Sequence, residues 1–209
     1  MQRSSVTQPR TAPEGAPGTA PLHERAIDNL RYIRRTMEQA GSFTAVSGIG
    51  IVGIGLIALP AAYMASRQVT TLAWMQVWIA AAAGAVVIAV VLTARKARAL
   101  GMPMISGPGR KFALAFTPTL LAGAVLTAAL TANAPRDLLV GAWLLLYGAG
   151  VTAGGALSVP VVPVMGLSFM VAGVATLASP ASAASWFMVG GFGGLHLVFG
   201  TWIAWRYGG

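Results

Sequence analysis

Residues 138–205 read LLVGAWLLLYGAGVTAGGALSVPVVPVMGLSFMVAGVATLASPASAASWFMVGGFGGLHLVFGTWIAW, 68 consecutive positions without a lysine, arginine, aspartate or glutamate. A helix rises about 1.5 Å per residue and needs about 20 apolar residues to cross the hydrocarbon of a bilayer. The stretch is too long for one crossing and must fold back. Proline removes a helix donor and turns the residue before it away from the helical region. The breaks therefore fall at Val159-Pro160-Val161-Val162-Pro163 and Ser179-Pro180-Ala181-Ser182, which divide the stretch into spans at 138–158, 161–178 and 184–205.

Upstream, the charge-free stretches 43–66, 68–94 and 112–135 each hold one further span, at about 43–66, 72–94 and 112–132. The expected fold is all-α: a polytopic membrane protein with six transmembrane helices over 43–206. Composition agrees, because soluble domains carry about a quarter of their residues as charge and this 209-residue chain carries 9%, with 56% hydrophobic residues and a mean hydropathy of +0.72.

Twelve of the fourteen Lys and Arg residues fall on one side of this map. Arg3, Arg10, Arg25, Arg31, Arg34 and Arg35 precede the first span, Arg95, Lys96, Arg98, Arg110 and Lys111 lie between the second and third, and Arg206 follows the sixth. Only Arg67 and Arg136 lie opposite. The positive-inside rule then places both termini in the cytoplasm, which an even number of spans requires. The net charge of +9 sits beside apolar runs, so anionic lipid headgroups are a simpler partner than nucleic acid. Arg31, Arg34, Arg35, Arg95, Lys96, Arg98, Arg110 and Lys111 are the expected headgroup contacts. Trp74, Trp78, Trp143 and Trp186 near the outer span ends, and Trp202, Trp205 and Tyr207 at the inner end of the sixth, read as interfacial anchors.

Residues 1–21, with Pro9, Pro13, Pro17 and Pro21 among small polar residues, read as a disordered tail. From Leu22 the pattern changes. Leu22, Ala26, Leu30, Ile33, Met37 and Ala40 recur at three- and four-residue spacing, predicting a cytoplasmic amphipathic helix over 22–42 that Gly41-Ser42 ends. Such a helix lies on the inner leaflet or docks on another protein.

With no cysteine, two histidines and five acids, disulfides, thiolate metal sites and Cys nucleophiles are excluded by inventory. No acid lies in an apolar segment, so no metal site, cofactor or catalytic acid/base pair is expected. Gly48-Ile49-Gly50-Ile51-Val52-Gly53 matches the dinucleotide fingerprint in letters, but that motif needs a preceding strand and an acid about 20 residues on. Ser106-Gly107-Pro108-Gly109-Arg110-Lys111 lacks phosphate-loop spacing and reads as a basic turn on lipid phosphates. Gly150 with Gly154, Gly190 with Gly194, and Gly141, Gly148 and Gly155 at heptad spacing mark helix packing, with a homodimer seam or a flexible gate as alternatives.

His196 is the one side chain of near-neutral pKa within a span, and an intramembrane ionisable group is a functional hypothesis by default. Gly193 and Gly200 leave room beside it for a helix or a small ligand. Its expected role is a neutral imidazole hydrogen-bonded across helices to Tyr147, Thr152 or Ser168, with ligand binding or pH sensing as the alternative.

Three stretches carry a resemblance. Leu30-Arg31-Tyr32-Ile33-Arg34-Arg35-Thr36-Met37-Glu38 with Ala40-Gly41-Ser42-Phe43-Thr44-Ala45-Val46, then Trp143-Leu144-Leu145-Leu146-Tyr147-Gly148, then Gly193-Gly194-Leu195-His196 resemble an uncharacterised family of bacterial six-span integral membrane proteins. The similarity runs from about residue 24 to the C-terminus. It implies the bacterial inner membrane and brings no assigned activity and no catalytic residues. The expected function is a non-enzymatic scaffold, sensor or regulatory partner acting through residues 22–42. A homo-oligomer is compatible with it, and the alternative is a small transporter or channel for a neutral or lipidic solute, with a cavity near His196.

Overall fold

The computed structural model describes residues 22–40, 46–101, 107–131 and 134–208. The proline-rich tail, the Gly41-Ser42 helix stop and residues 43–45 of the expected first span lie outside the described residues. Helices and short connections account for all that is described, with no strand among those residues.

Helix α1, Leu22–Ala40, belongs up to Glu38 to a compact unit of its own. Its Leu30, Ile33 and Met37 are all exposed, on one stripe at helical spacing. Arg31 pairs with Asp28 at 3.2 Å on the same helix. The side chain of Arg35 lies outside the described part.

The second unit is a bundle. It contains α2 (Gly48–Ser66), α3 (Thr71–Ala99), α4 (Gly107–Leu130), α5 (Arg136–Gly155) and α6 (Val161–Leu177). A last pass, Ala181–Tyr207, is built from a tight turn at Ala181–Ala183, α7 (Ala184–Met188), a wide π turn at Val189–Leu195 and α8 (His196–Tyr207). Local chemistry sets the ends. Ser47 Oγ accepts from the Gly50 N–H at 3.1 Å and starts α2, and Thr70 Oγ1 does the same for α3 from Ala73 at 3.2 Å, each satisfying a donor that the first helical turn leaves open. Gly101, at φ 63°, closes the far end of α3 with a backbone that other residues adopt only at a cost.

The α2, α3, α4 and α5 helices and the Ala181–Tyr207 pass are long and apolar enough to cross a membrane. The expected six spans are thus five plus a shorter apolar helix, α6, of 17 residues. The prolines mark the breaks as read, with α6 starting after Pro160 and the last pass after Pro180. Charges do not mark helix ends. The α3 helix runs to Ala99 through Arg95, Lys96 and Arg98, and α4 begins at Gly107 ahead of Arg110 and Lys111, because Lys and Arg are good helix formers and do not end a helix.

Lipid tails are as apolar as leucine, so helices in a bilayer associate through close packing and hydrogen bonds rather than by escape from water. Two glycine seams supply that packing here. Between antiparallel α5 and α6, a Cβ on Gly148 would lie 2.6 Å from the Gly166 carbonyl oxygen, and one on Gly173 would lie 3.0 Å from that of Gly141. Between α2 and the last pass, Gly48 lies against the Ala204 backbone, a Cβ on Gly200 would lie 2.7 Å from the Val52 nitrogen, and one on Gly55 would lie 2.9 Å from the Gly193 oxygen. Gly50 and Gly53 face Leu92 and Ile88 of α3. The dinucleotide-like letters are thus two glycine faces of a single helix.

Outer helices complete the bundle. Only 6% of the apolar window of α3, and none of that of α4, is buried in protein. Val86, Val87, Val90, Leu114, Leu121 and Val125 are exposed on them, apolar faces suited to lipid.

Candidate intramembrane polar site

His196 begins α8 directly after the π turn and is fully enclosed, at 0% exposure. Its Nδ1 lies 2.9 Å from the Phe192 carbonyl oxygen. Its Nε2 lies 2.7 Å from the Tyr147 hydroxyl of α5. A carbonyl only accepts, so Nδ1 carries the proton. In the neutral ring Nε2 then accepts from the Tyr147 O–H, and both nitrogens are engaged. The imidazole is walled by Phe169 at 5.1 Å, edge-on, and by Phe192 at 6.1 Å, stacked.

Of the partners expected for His196, the structure brings Tyr147 to it and leaves the others elsewhere. Thr152 Oγ1 donates to Gly148 O at 2.8 Å on its own helix and sits against Gly166 in the α5/α6 seam. Ser168 Oγ donates to Val164 O at 2.9 Å. A hydroxyl in a helix finds the carbonyl one turn back when no acceptor comes closer. The room expected beside Gly193 and Gly200 is filled by α2, through Leu59 and Val52 respectively.

The expected packing glycines divide. Gly150 lies against Thr119 and Phe116, and Gly154 against Phe112, joining α5 to α4. Gly190 has nothing within 4 Å of an added Cβ, and Gly194 meets only the Val189 oxygen at 3.9 Å, so this pair is not a packing motif. The π turn, with its i→i+5 ladder, shifts the faces. Gly191 and Gly193 take the contacts instead, with Leu144 and Leu59.

The headgroup assignments also divide. Arg31 and Arg34 of α1, and Arg95, Arg98, Arg110 and Lys111 of the bundle, are exposed. Lys96 is buried, and its Nζ donates to Val46 O at 3.0 Å, Tyr207 O at 2.9 Å and Gly208 O at 2.6 Å. Those bonds use all three ammonium donors, so Lys96 is a clasp between the start of α2 and the end of α8 and not a headgroup contact. At the opposite end Arg136 donates to Val69 O at 2.6 Å.

The expected tryptophan belt needs a similar correction. Trp186 and Trp205 are exposed, but Trp74 and Trp78 are buried, and Trp74 stacks on Trp143 at 5.3 Å. Trp143 Nε1 donates to Thr127 Oγ1 at 2.7 Å. These rings belong to an aromatic column that was not foreseen. It runs Phe112, Phe116, Tyr147, Phe192, Trp78, Trp74, Trp143, with successive centroids 5.3–6.5 Å apart. The signal lay in spacing: Trp74/Trp78, Phe112/Phe116, Trp143/Tyr147 and Phe192/His196 are each four residues apart and so share a helix face.

Among the described residues no three His, Asp or Glu side chains converge as a metal site would require. The hollow beside the column, lined by Ala62, Ala65, Ser66, Trp74, Trp78, Ser185 and Met188, measures ≈ 10 Å³, the space of about one water.

The fold and the site define an all-helical protein with apolar helices suited to a membrane and a Tyr147–His196 pair among aromatic rings, its imidazole fully enclosed. No family model, curated protein or solved structure matches the chain.

Proposed function

We propose that this chain is a six-pass inner-membrane protein that acts without catalysis, as a scaffold or regulatory partner, with α1 as its cytoplasmic contact element. One observation carries the reading. His196, the only titratable imidazole of the spanning region, has both ring nitrogens engaged and is enclosed by α2, α5 and α6. A solute path needs polar groups facing a passage, and His196 and Tyr147 are turned onto one another. With the core sealed, the surfaces left for function are the apolar stripe of α1 and the basic end of the bundle.

The positive-inside rule supports an orientation in which Arg95, Arg98, Arg110, Lys111 and Arg206 face the cytoplasm and Arg67 and Arg136 face outward. In that frame α6 is a sixth, short crossing, tolerated because α5 covers it along its length. A bacterial inner membrane is the setting that the sequence resemblance implies.

The test is crosslinking in cells with a photoreactive residue at Ile33 or Met37. A discrete protein adduct is expected. Recovery of lipid and nonspecific neighbours alone refutes a partner role, and solute flux in proteoliposomes that is lost in His196→Ala would favour a transporter instead.

A further inference from the structure

The π turn at Val189–Leu195 interrupts the last pass immediately before His196. Such turns insert an extra residue into the helical ladder, and tightening one to regular helix rotates the flanking segment by about 100° and moves it about 1.5 Å along the axis. Four of its seven residues are glycine, and two of these have no steric reason to be. Gly190 faces open space and Gly194 nearly so, while neither has the positive φ that would demand glycine. Glycine at both positions keeps the turn free of side chains that would favour one helical form.

The segments on either side are held differently. Downstream, α8 is pinned by Gly200 against Val52, by Ala204 against Gly48, and by Lys96 on the Tyr207 and Gly208 carbonyls. Upstream, α7 is five residues long, follows a three-residue turn after Pro180 and enters the core through Ala184 and Met188, with no side-chain hydrogen bond at its cap. Across the π turn itself runs one chain of hydrogen bonds, from the Tyr147 hydroxyl to His196 and from His196 to the Phe192 carbonyl. Phe192 belongs to the turn, and its ring is wedged between Tyr147 at 5.3 Å and Phe169 at 5.5 Å.

We infer that Val189–Leu195 is a two-state hinge, latched in its wide form by the Tyr147–His196–Phe192 chain, about which the Ala181–Met188 segment swings while α8 stays fixed. The buried polar pair is then a mechanical element: it reports the state of the outer segment to α5 in the centre of the bundle. This stands apart from the role of α1.

The chain has no native cysteine, so paired spin labels can be placed without background. Trp186→Cys and Val174→Cys form an outer pair across α7 and α6, and Val198→Cys with Val174→Cys forms an inner reference pair; all three sites are exposed. Two perturbations act on the hinge in full-length protein. Tyr147→Phe removes the latch. Gly190→Ala with Gly194→Ala fills open positions without a clash and restricts the backbone freedom that the turn draws on. In both, the outer pair is expected to gain a second discrete distance, shifted by several ångströms, while the inner pair keeps one. An unchanged outer distance in either variant overturns the hinge, as does an equal change in both pairs. The glycine variant keeps the test decisive if Tyr147→Phe fails to fold.

Discussion

Replacing Lys96 with methionine keeps the length and volume of the side chain and deletes its charge. In the native protein the ammonium sits where three chain segments meet: α3, the residue before the Ser47 cap of α2, and the end of α8. The final carbonyls of a helix have no partner within it, and a cation there is favoured by the helix dipole. Hydrogen bonds to a charged donor contribute about 1.5–3 kcal/mol each, so three set a ceiling of several kcal/mol. Two effects lower it. Gly208 is exposed, so water reaches its carbonyl in the variant, and methionine avoids the cost of desolvating an ammonium. The expected net loss is about 2–3 kcal/mol. Reversible unfolding in mixed SDS and mild-detergent micelles measures it, with Arg98→Met, an exposed cation two residues away, as the reference. Lys96→Arg should restore only part of the loss, because a planar fork does not fit three convergent carbonyls. If Lys96→Met unfolds at the same SDS fraction as Arg98→Met, the clasp contributes nothing and the account of this end of the bundle is wrong.

Other expectations follow from packing and topology. Gly148→Ala drives a methyl to 2.6 Å from the Gly166 carbonyl and 2.7 Å from the Met170 nitrogen, so it should destabilise by about 1–3 kcal/mol in the same assay, while Gly123→Ala, whose Cβ would lie 3.7 Å from Leu146, should not. Trp143→Phe loses the bond to Thr127 and part of the stack on Trp74, at about 1–2 kcal/mol; Trp186→Phe, at 76% exposure, should leave stability unchanged. A single cysteine at Val69, 94% exposed, should react with an impermeant maleimide on intact spheroplasts, and one at Arg98 only after permeabilisation; the reverse pattern would invert the proposed orientation.

The spans were legible because they follow from quantities that one sequence contains: the length of charge-free runs and the places where proline forbids a helix. Helix ends were less so. Membrane boundaries are set by hydropathy, but helix boundaries are set by caps such as Ser47 and Thr70, and the charges at 95–98 and 110–111 lie inside helices. Which face of a span meets protein was mostly hidden, since lipid and core are equally apolar. Trp74 and Trp78 therefore read as anchors until the structure placed them inside, with the half-buried Trp143 stacked on Trp74. The π turn was invisible for a related reason. Spacing arguments assume 3.6 residues per turn, and that assumption assigned packing to Gly190 and Gly194 and missed Gly191 and Gly193.

The same physics explains why one polar pair lies in so apolar a core. Glycine seams bring backbones together but specify register weakly, because small residues repeated along a helix offer several equivalent docks. A Tyr–His hydrogen bond has one satisfying geometry, and breaking it in a lipid-like interior leaves two polar groups unpaired. Tyr147 and His196 belong to the two helices that carry the two seams, α5 against α6 and the last pass against α2. Their bond therefore fixes one glycine-packed pair relative to the other. Slippage of α5 along the last pass by one turn would separate the hydroxyl from the imidazole, so the pair adds one directional contact between the two glycine-packed pairs.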